Sequence, residues 1–292
     1  MLINNMEDVI AALDSIKSFL ASKDGSFQKN PSKRDFSALK DILASEKWPE
    51  AVPEGLICRD TEEDKSDRAL GIVELLGVDC RGNKFLDFGC GEGHVVRAAK
   101  DEGAAASCGY DVTKTGSLSW QQPDSFFLTT SMVDLDQHKP FDIILLHDVL
   151  DHADDPVGVL KQCRDLSHEK TKIIVRCHSF MSRHGGHLYK QVNKAWIQLV
   201  FSDEELASMG LDLSEMPKQR VFYPINTYHS WFQSAGLKVH HENTLVGEVE
   251  EFFRGDLKNE IVHNFNSQAK SQVAELPEWQ MSQHFNDFTL IL

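Results

Sequence analysis

The sequence predicts a doubly wound, mostly parallel α/β sheet of seven strands, preceded by a helical extension. Short apolar runs alternate with amphipathic helical stretches from residue 84 onward, which implies β-α-β crossovers with helices on both faces. Glycines at alternate positions join the first strand of that alternation to its first helix. The chain's 292 residues and 41% apolar content are enough for one large core.

The first 65 residues read as the extension. Val9, Leu13, Ile16 and Leu20 form one helical stripe over Met6 to Leu20, with Asn5 as the cap. A second helix follows Pro31, capped by Ser32, with Phe36, Leu39, Ile42 and Leu43 on its apolar face. Trp48-Pro49, Pro53 and Gly55 punctuate a loop, and beyond the acidic run Thr61 to Asp64 a third helix is expected over Ser66 to Leu76.

The main domain covers residues 66–292. Its first strand is Lys84 to Phe88 and its helix His94 to Glu102, stopped by Gly103. Strands follow at Ala106 to Tyr110, Phe126 to Thr129 and Asp142 to His147. Pro156 opens a helix to Leu166, and Lys172 to Cys177 is the fifth strand. A helix over Thr227 to Ala235 is stopped by Gly236, and the strands Leu237 to His241 and Phe288 to Leu292 complete the sheet. Two segments exceed ordinary connections, at about 179–224 and 244–285, the second with helical stretches at Glu248 to Phe253 and Leu257 to Asn264.

Composition removes several function classes. With 30 Lys+Arg against 45 Asp+Glu the net charge is −15, which opposes non-specific binding to nucleic acid or anionic membrane. No apolar run is long enough to span a bilayer, and Glu7, Asp8 and Asp14 stand where a signal peptide would be basic and then apolar, so a cytoplasmic protein is expected. Six scattered cysteines without a C-x-x-C pair indicate reduced, mostly buried thiols.

The most informative segment is Phe85-Leu86-Asp87-Phe88-Gly89-Cys90-Gly91-Glu92-Gly93-His94-Val95. Its three glycines bring bare amides and a helix N-terminus close to a ligand. A dinucleotide turn needs its third glycine at position 94, where His94 stands, so the spacing disfavours NAD. Asp87 would repel a pyrophosphate but suits an ammonium group, and Asp111 at the tip of the second strand is placed to accept both hydroxyls of a ribose. An amino-acid end, a ribose and an adenine further along the edge describe S-adenosylmethionine.

This segment strongly resembles motif I of the class I S-adenosylmethionine-dependent methyltransferases. Phe141 to Pro156, with Val149-Leu150-Asp151-His152 and Asp155-Pro156, resembles the fourth strand and following turn of their small-molecule-type members. Gly236-Leu237-Lys238-Val239 is similar to the turn into their sixth strand, and Asp287 to Leu292 to their closing antiparallel strand. The resemblance implies a Rossmann-like methyltransferase fold with Asp87, Gly89, Cys90, Gly91 and Gly93 around the methionine moiety. It also implies Asp111 and Val112 at the ribose, Ser131 or Asp134 at the adenine, and His147 lining the cleft. Asp148, Asp151, Asp154 and Asp155 read as a solvated loop and a helix cap.

Methyl transfer draws much of its acceleration from alignment in a dry site and needs a base only for a protonated acceptor. No Asn-Pro-Pro-Tyr-type turn or Pro-Cys nucleophile follows the fourth strand, which disfavours DNA-methylating chemistry. The insertion at 179–224, with Arg176 and His178 just before it, is locally basic and aromatic, carrying Arg183, His184, His187, Tyr189, Lys190, Lys194, Trp196, Arg220 and Tyr223. It reads equally as a pocket for an anionic or aromatic methyl acceptor, with His178 or His184 as base, or as a lid with its own small core. No metal site is expected, because Gly185-Gly186 gives His178, His184 and His187 loop spacing without an acid partner. The N-terminal helices and residues 244–285 could serve a homo-oligomer or larger assembly. The competing function is a non-catalytic S-adenosylmethionine-binding or assembly module.

Overall fold

The computed structural model describes residues 41, 44–45, 48–57, 61–77, 79–114, 125–246, 261–273 and 283–292. The chain divides into two compact units, Met1–Trp48 and Pro49–Leu292. The helices expected over residues 6–20 and 32–43 lie outside the described residues, except for a helical Asp41.

The second unit is built on one sheet of order β3-β2-β1-β4-β5-β7-β6. Its strands are β1 (Lys84–Phe88), β2 (Ala106–Tyr110), β3 (Phe127–Thr129), β4 (Phe141–His147), β5 (Ser167–His178), β6 (Lys238–Val246) and β7 (Gln283–Ile291). Neighbours pair in parallel through β5, and β7 runs antiparallel to both β5 and β6. The central strands are nearly continuous apolar runs because helices cover both faces. On one face Leu86, Ile144, Leu146, Val175 and Phe288 pack with Leu160 and Cys163 of α5 (Pro156–Asp165) and Tyr228 and Phe232 of α8 (Pro224–Ala235). On the other, Phe85, Ile143, Leu145 and Ile174 pack with Ala69 and Val73 of α2 (Glu62–Leu75) and Ala98 and Ala99 of α3 (His94–Asp101).

Five elements, two helices and three strands, differ in their boundaries from expectation. Helix α2 starts at Glu62, because Thr61 and Asp64 form a capping box: Thr61 Oγ1 accepts from Asp64 N at 3.1 Å and Asp64 Oδ2 accepts from Thr61 N at 3.2 Å. The acidic run is therefore the helix's first turn, at its positive end. Helix α8 opens at Pro224, whose fixed φ and missing N–H suit the first helical position. Strands β6 and β7 outrun their apolar centres because polar residues such as His241, Glu242 and Asn243 occupy the exposed margin of the ribbon that pairs Lys238 with Ile291 through Val246 with Gln283, and β5 starts early, at Ser167, where it pairs with Phe141 of β4. Residues 248–253 and 257–260 lie outside the described residues; Ile261 to Asn264 are helical, followed by α9 (Ser267–Val273).

The insertion after β5 holds its own small core, with Phe180, Met181, Leu188, Trp196, Leu199, Val200 and Phe201 buried. Trp196 Nε1 donates to the Met181 carbonyl at 3.1 Å, and Gln198 Nε2 donates to those of Phe180 and Ser182 at 3.0 and 2.9 Å. Gly185 is required by proximity, since a Cβ there would lie 2.6 Å from the Phe180 carbonyl oxygen. Residues 49–52 strap this core: Ala195 N donates to the Pro49 carbonyl at 2.9 Å, and Asn193 exchanges two 2.9 Å bonds with the Val52 backbone. The segment thus has the small core of its own that one of the two readings expected, and it also delivers histidines to the sheet edge.

Candidate functional site

The turn between β1 and α3 is shaped by Gly89, Gly91 and Gly93 at φ +90°, +50° and +82°, a region that side chains rarely enter. A Cβ on Gly89 would strike the Val149 side chain, and one on Gly93 would lie 2.8 Å from Leu128 Cδ1. The turn is hung from β2, with Gly89 N and Cys90 N both donating to the Tyr110 carbonyl at 2.7 and 3.0 Å. Cys90 packs its side chain into a core formed with Val96, Phe126 and Leu128, with its thiol 4.0 Å from the Gly91 carbonyl of the turn. Glu92 is engaged by Lys65 Nζ at 2.7 Å and lies 3.1 Å from His94 Nε2.

Asp87 is only 3% exposed, and burial pushes its carboxyl up to about 7. His147 works against that rise and Asp111 adds to it; no lysine or arginine pairs with Asp87 among the described residues. A buried acid of this kind fits a cationic ligand group, which would supply the missing counter-charge. Asp111 stands at the tip of β2, where Oδ2 accepts from Gly91 N at 2.8 Å and Oδ1 from Thr113 N at 3.1 Å. Each oxygen keeps a second lone pair for a ligand hydroxyl. Val112 is 78% exposed beside it. Ser131 caps α4 (Met132–Asp136) by accepting from Asp134 N at 3.2 Å, and the Asp134 side chain is exposed.

Along the same sheet edge, at and beyond the ends of β4 and β5, five histidines and two aspartates converge. Asp148, at φ +53°, lies with Oδ2 3.2 Å from His147 Nδ1 and accepts the His178 backbone N–H at Oδ1, 3.0 Å away. His178 Nδ1 is also 2.8 Å from Asp148 Oδ1, out of hydrogen-bonding direction. Burial alone would raise the Asp148 carboxyl, but the facing His178 and His147 outweigh it and hold it well below the usual range. For His147, burial opposes charge, yet Asp148 prevails and its pKa is raised. The His178 ring packs 4.1 Å from Phe285 of β7, 4.9 Å from His184 and 5.3 Å from His187, centroid to centroid. The His152 and His187 rings lie 5.0 Å apart, tilted by 33°. Asp151 is 2% exposed, and burial, helped by Asp148, raises its carboxyl to about 7. Burial, helped by His178, lowers His187 to about 4.

The structure thus brings His178 and His184 together. Of the four acids after β4, Asp155 caps α5 through Gly158 N at 2.9 Å and Asp154 pairs with Lys218 at 2.9 Å, as a solvated loop and cap should. Asp148 and Asp151 depart from that reading and point inward; their spacing, one helical turn apart with His152 adjoining, was the available signal. Phe285 carried no local signal, since β7 brings it from the far end of the chain. The basic residues are largely engaged within the protein: Arg176 is bidentate to Asp287 at 2.6 Å, Arg183 donates to the Glu50 carbonyl, and Arg220 meets Asp203 at 2.8 Å.

A family model described as a methyltransferase domain matches residues 66–242. No curated protein matches the chain. Among solved structures, it is similar to an S-adenosylmethionine-dependent methyltransferase from Mesorhizobium loti at 13% identity, covering 78% of this chain and 100% of that one with a TM-score of 0.47. A counterpart from Archaeoglobus fulgidus is 15% identical over 80% of this chain and 96% of its own, again at 0.47. Haemonchus contortus phosphoethanolamine N-methyltransferase 2, in complex with S-adenosyl-L-methionine, is 15% identical over 77% of this chain and 52% of its own, at 0.44. No helix among the described residues is long and apolar enough to cross a membrane.

Proposed function

The chain belongs to the methyltransferase-domain family, and on that premise we propose that it methylates an acceptor seated over the tips of β4 and β5, with His178 as the group that takes the acceptor's proton. The cofactor is S-adenosylmethionine. The chemistry it brings is an electrophilic methyl group on a sulfonium, released as a neutral thioether once the nucleophile's lone pair has taken the methyl. Asp87 faces its ammonium group, Asp111 its ribose hydroxyls, and the Gly89–Gly93 turn its methionine end. Ser131 has its hydroxyl in a helix cap, which leaves the exposed Asp134 carboxylate as the better partner for the adenine.

The observation that carries the catalytic half is the placement of His178 at the sheet edge, with its Nδ1 2.8 Å from an Asp148 carboxylate that the facing His178 and His147 hold well below the usual carboxylate range. Of the two acceptor chemistries expected, the aromatic one is better supported. Arg176, Arg183 and Arg220 are engaged elsewhere, while His178, His184, Tyr189 and Phe285 present ring surfaces to one another. Net charge of −15 further favours a small molecule or one specific site over bulk nucleic acid. Calorimetric titration with S-adenosylmethionine and its demethylated product tests the cofactor half; failure of both to bind refutes it. Release of labelled methyl to a panel of phenolic and other aromatic acceptors tests the other half. Binding without transfer to any acceptor would make the chain a non-catalytic module.

A further inference from the structure

We propose that Asp151, His152 and His187 form a binding site for one divalent first-row transition-metal ion. One carboxylate oxygen of Asp151 and one ring nitrogen from each histidine lie within 4.8 Å of one another. Ligands about 2.0–2.2 Å from such an ion sit roughly 3–4 Å apart, so closing the set takes an ångström or so of side-chain rotation. Two imidazoles and one carboxylate suit zinc, iron, cobalt or nickel better than magnesium or calcium, which prefer oxygen alone.

Two independent features point to a missing cation. Both carboxylate oxygens of Asp151 are buried with no hydrogen-bond donor from any other described residue, and the ring nitrogen His152 Nε2 is 3.6 Å away. An acid so placed carries an uncompensated desolvation cost that a bound cation would offset. In addition, the Glu215 backbone hydrogen-bonds the His187 ring, while Nε2 is buried and has no partner. A histidine anchored by backbone at one nitrogen, with the other bare and aimed inward, is oriented as metal-bound histidines are. The turn carrying the other two ligands is itself fixed, since the Asp151 carbonyl accepts from Gln219 N at 2.8 Å and His152 N donates to the Val149 carbonyl at 3.1 Å.

A second grouping, Glu62, Glu92 and His94, differs in the deciding respect: Lys65 already supplies the positive charge at 2.7 Å from Glu92. Three protein ligands leave coordination positions for water or for an acceptor oxygen, beside the ring cluster around His178. The site requires neither S-adenosylmethionine nor methyl transfer, so its test can fail while the methyltransferase reading stands.

The experiment is titration of the tag-free, chelator-stripped full chain with Co2+, read by visible d–d absorbance and calorimetry, followed by displacement with Zn2+. One Co2+ per chain is expected, with affinity lowered about 100-fold or more in both Asp151→Asn and His187→Ala, since even outer partners of ligands are worth 10- to 100-fold. His168→Ala, which removes a histidine paired with Asp142 at 2.9 Å, controls for non-specific binding and should leave affinity unchanged. Circular dichroism establishes that each variant is folded; if Asp151→Asn is not, His187→Ala and His152→Gln decide. Absence of saturable Co2+ binding, unaltered affinity in the folded ligand variants, or an equal loss in His168→Ala overturns the proposal.

Discussion

The glycine turn after β1 and the histidine cluster beyond β4 and β5 lie on one edge of one sheet, yet the chain builds them in different ways. The turn comes from a single stretch, Asp87 to Thr113, in which backbone amides and two acids do the work and side chains are mostly excluded. The cluster gathers Asp148 and Asp151 from beyond β4, His178 from the end of β5, His184 and His187 from the insertion and Phe285 from β7. Its geometry rests on side chains held against one another. The turn is therefore suited to a ligand shared across a family, and the cluster to whatever distinguishes this chain.

If the two regions are separable, variants in one should leave the other's readout intact. The largest effect is expected for His178→Ala: loss of a positioned base lowers kcat by about 10²–10⁴-fold, while affinity for S-adenosylmethionine stays within twofold of the parent. Loss of cofactor affinity in this variant would break the separation. Next comes a matched glycine pair. Gly89→Ala forces a side chain to φ +90° against Val149 and should cost roughly 1–3 kcal/mol of stability in urea unfolding, along with cofactor binding. Gly185→Ala crowds the Phe180 carbonyl and should disturb turnover through the insertion, with cofactor affinity retained. Asp111→Ala should weaken cofactor binding by about 1–3 kcal/mol, without altering acceptor selectivity. Unchanged affinity in calorimetry would remove the ribose role.

How much of each region was legible follows from the same contrast. Strand β1 and its turn could be read residue by residue because apolar run, acid and glycine spacing are local, and the structure starts and ends that strand at Lys84 and Phe88. The Thr61–Asp64 capping box was equally local, but an acidic run reads alike as the approach to a helix and as its first turn. The inward turn of Asp148 and Asp151 could not be weighed from spacing alone, because a loop acid is exposed unless distant segments cover it. Here the cover is the insertion, whose Gly185-Gly186 pair serves close packing against the Phe180 carbonyl and Gln198 and so brings His187 within reach of His152. The ribbon of β6 and β7 was underestimated because its polar rows face outward and carry no apolar signal.

The last test addresses the turn through pH. With its carboxyl raised to about 7 by burial, Asp87 in the cofactor-free protein takes up a proton as pH falls below 7. Ammonium binding favours the ionised form, so that proton must leave on association. Affinity should therefore fall by about tenfold per pH unit, 1.4 kcal/mol, between pH 7 and pH 5, and level off near neutrality. The stability sign is opposite. A buried acid whose folded pKa exceeds its unfolded value stabilises the free protein at low pH, and that contribution is lost as pH rises through 7. Thermal unfolding should show the cofactor raising the midpoint more at pH 7.5 than at pH 5.5. Asp87→Asn should flatten both profiles while retaining the shape of the turn, whereas His178→Ala should leave the binding profile as it is. An Asp87→Asn variant whose cofactor affinity still fell tenfold per unit would place the titrating group elsewhere and detach Asp87 from the ammonium.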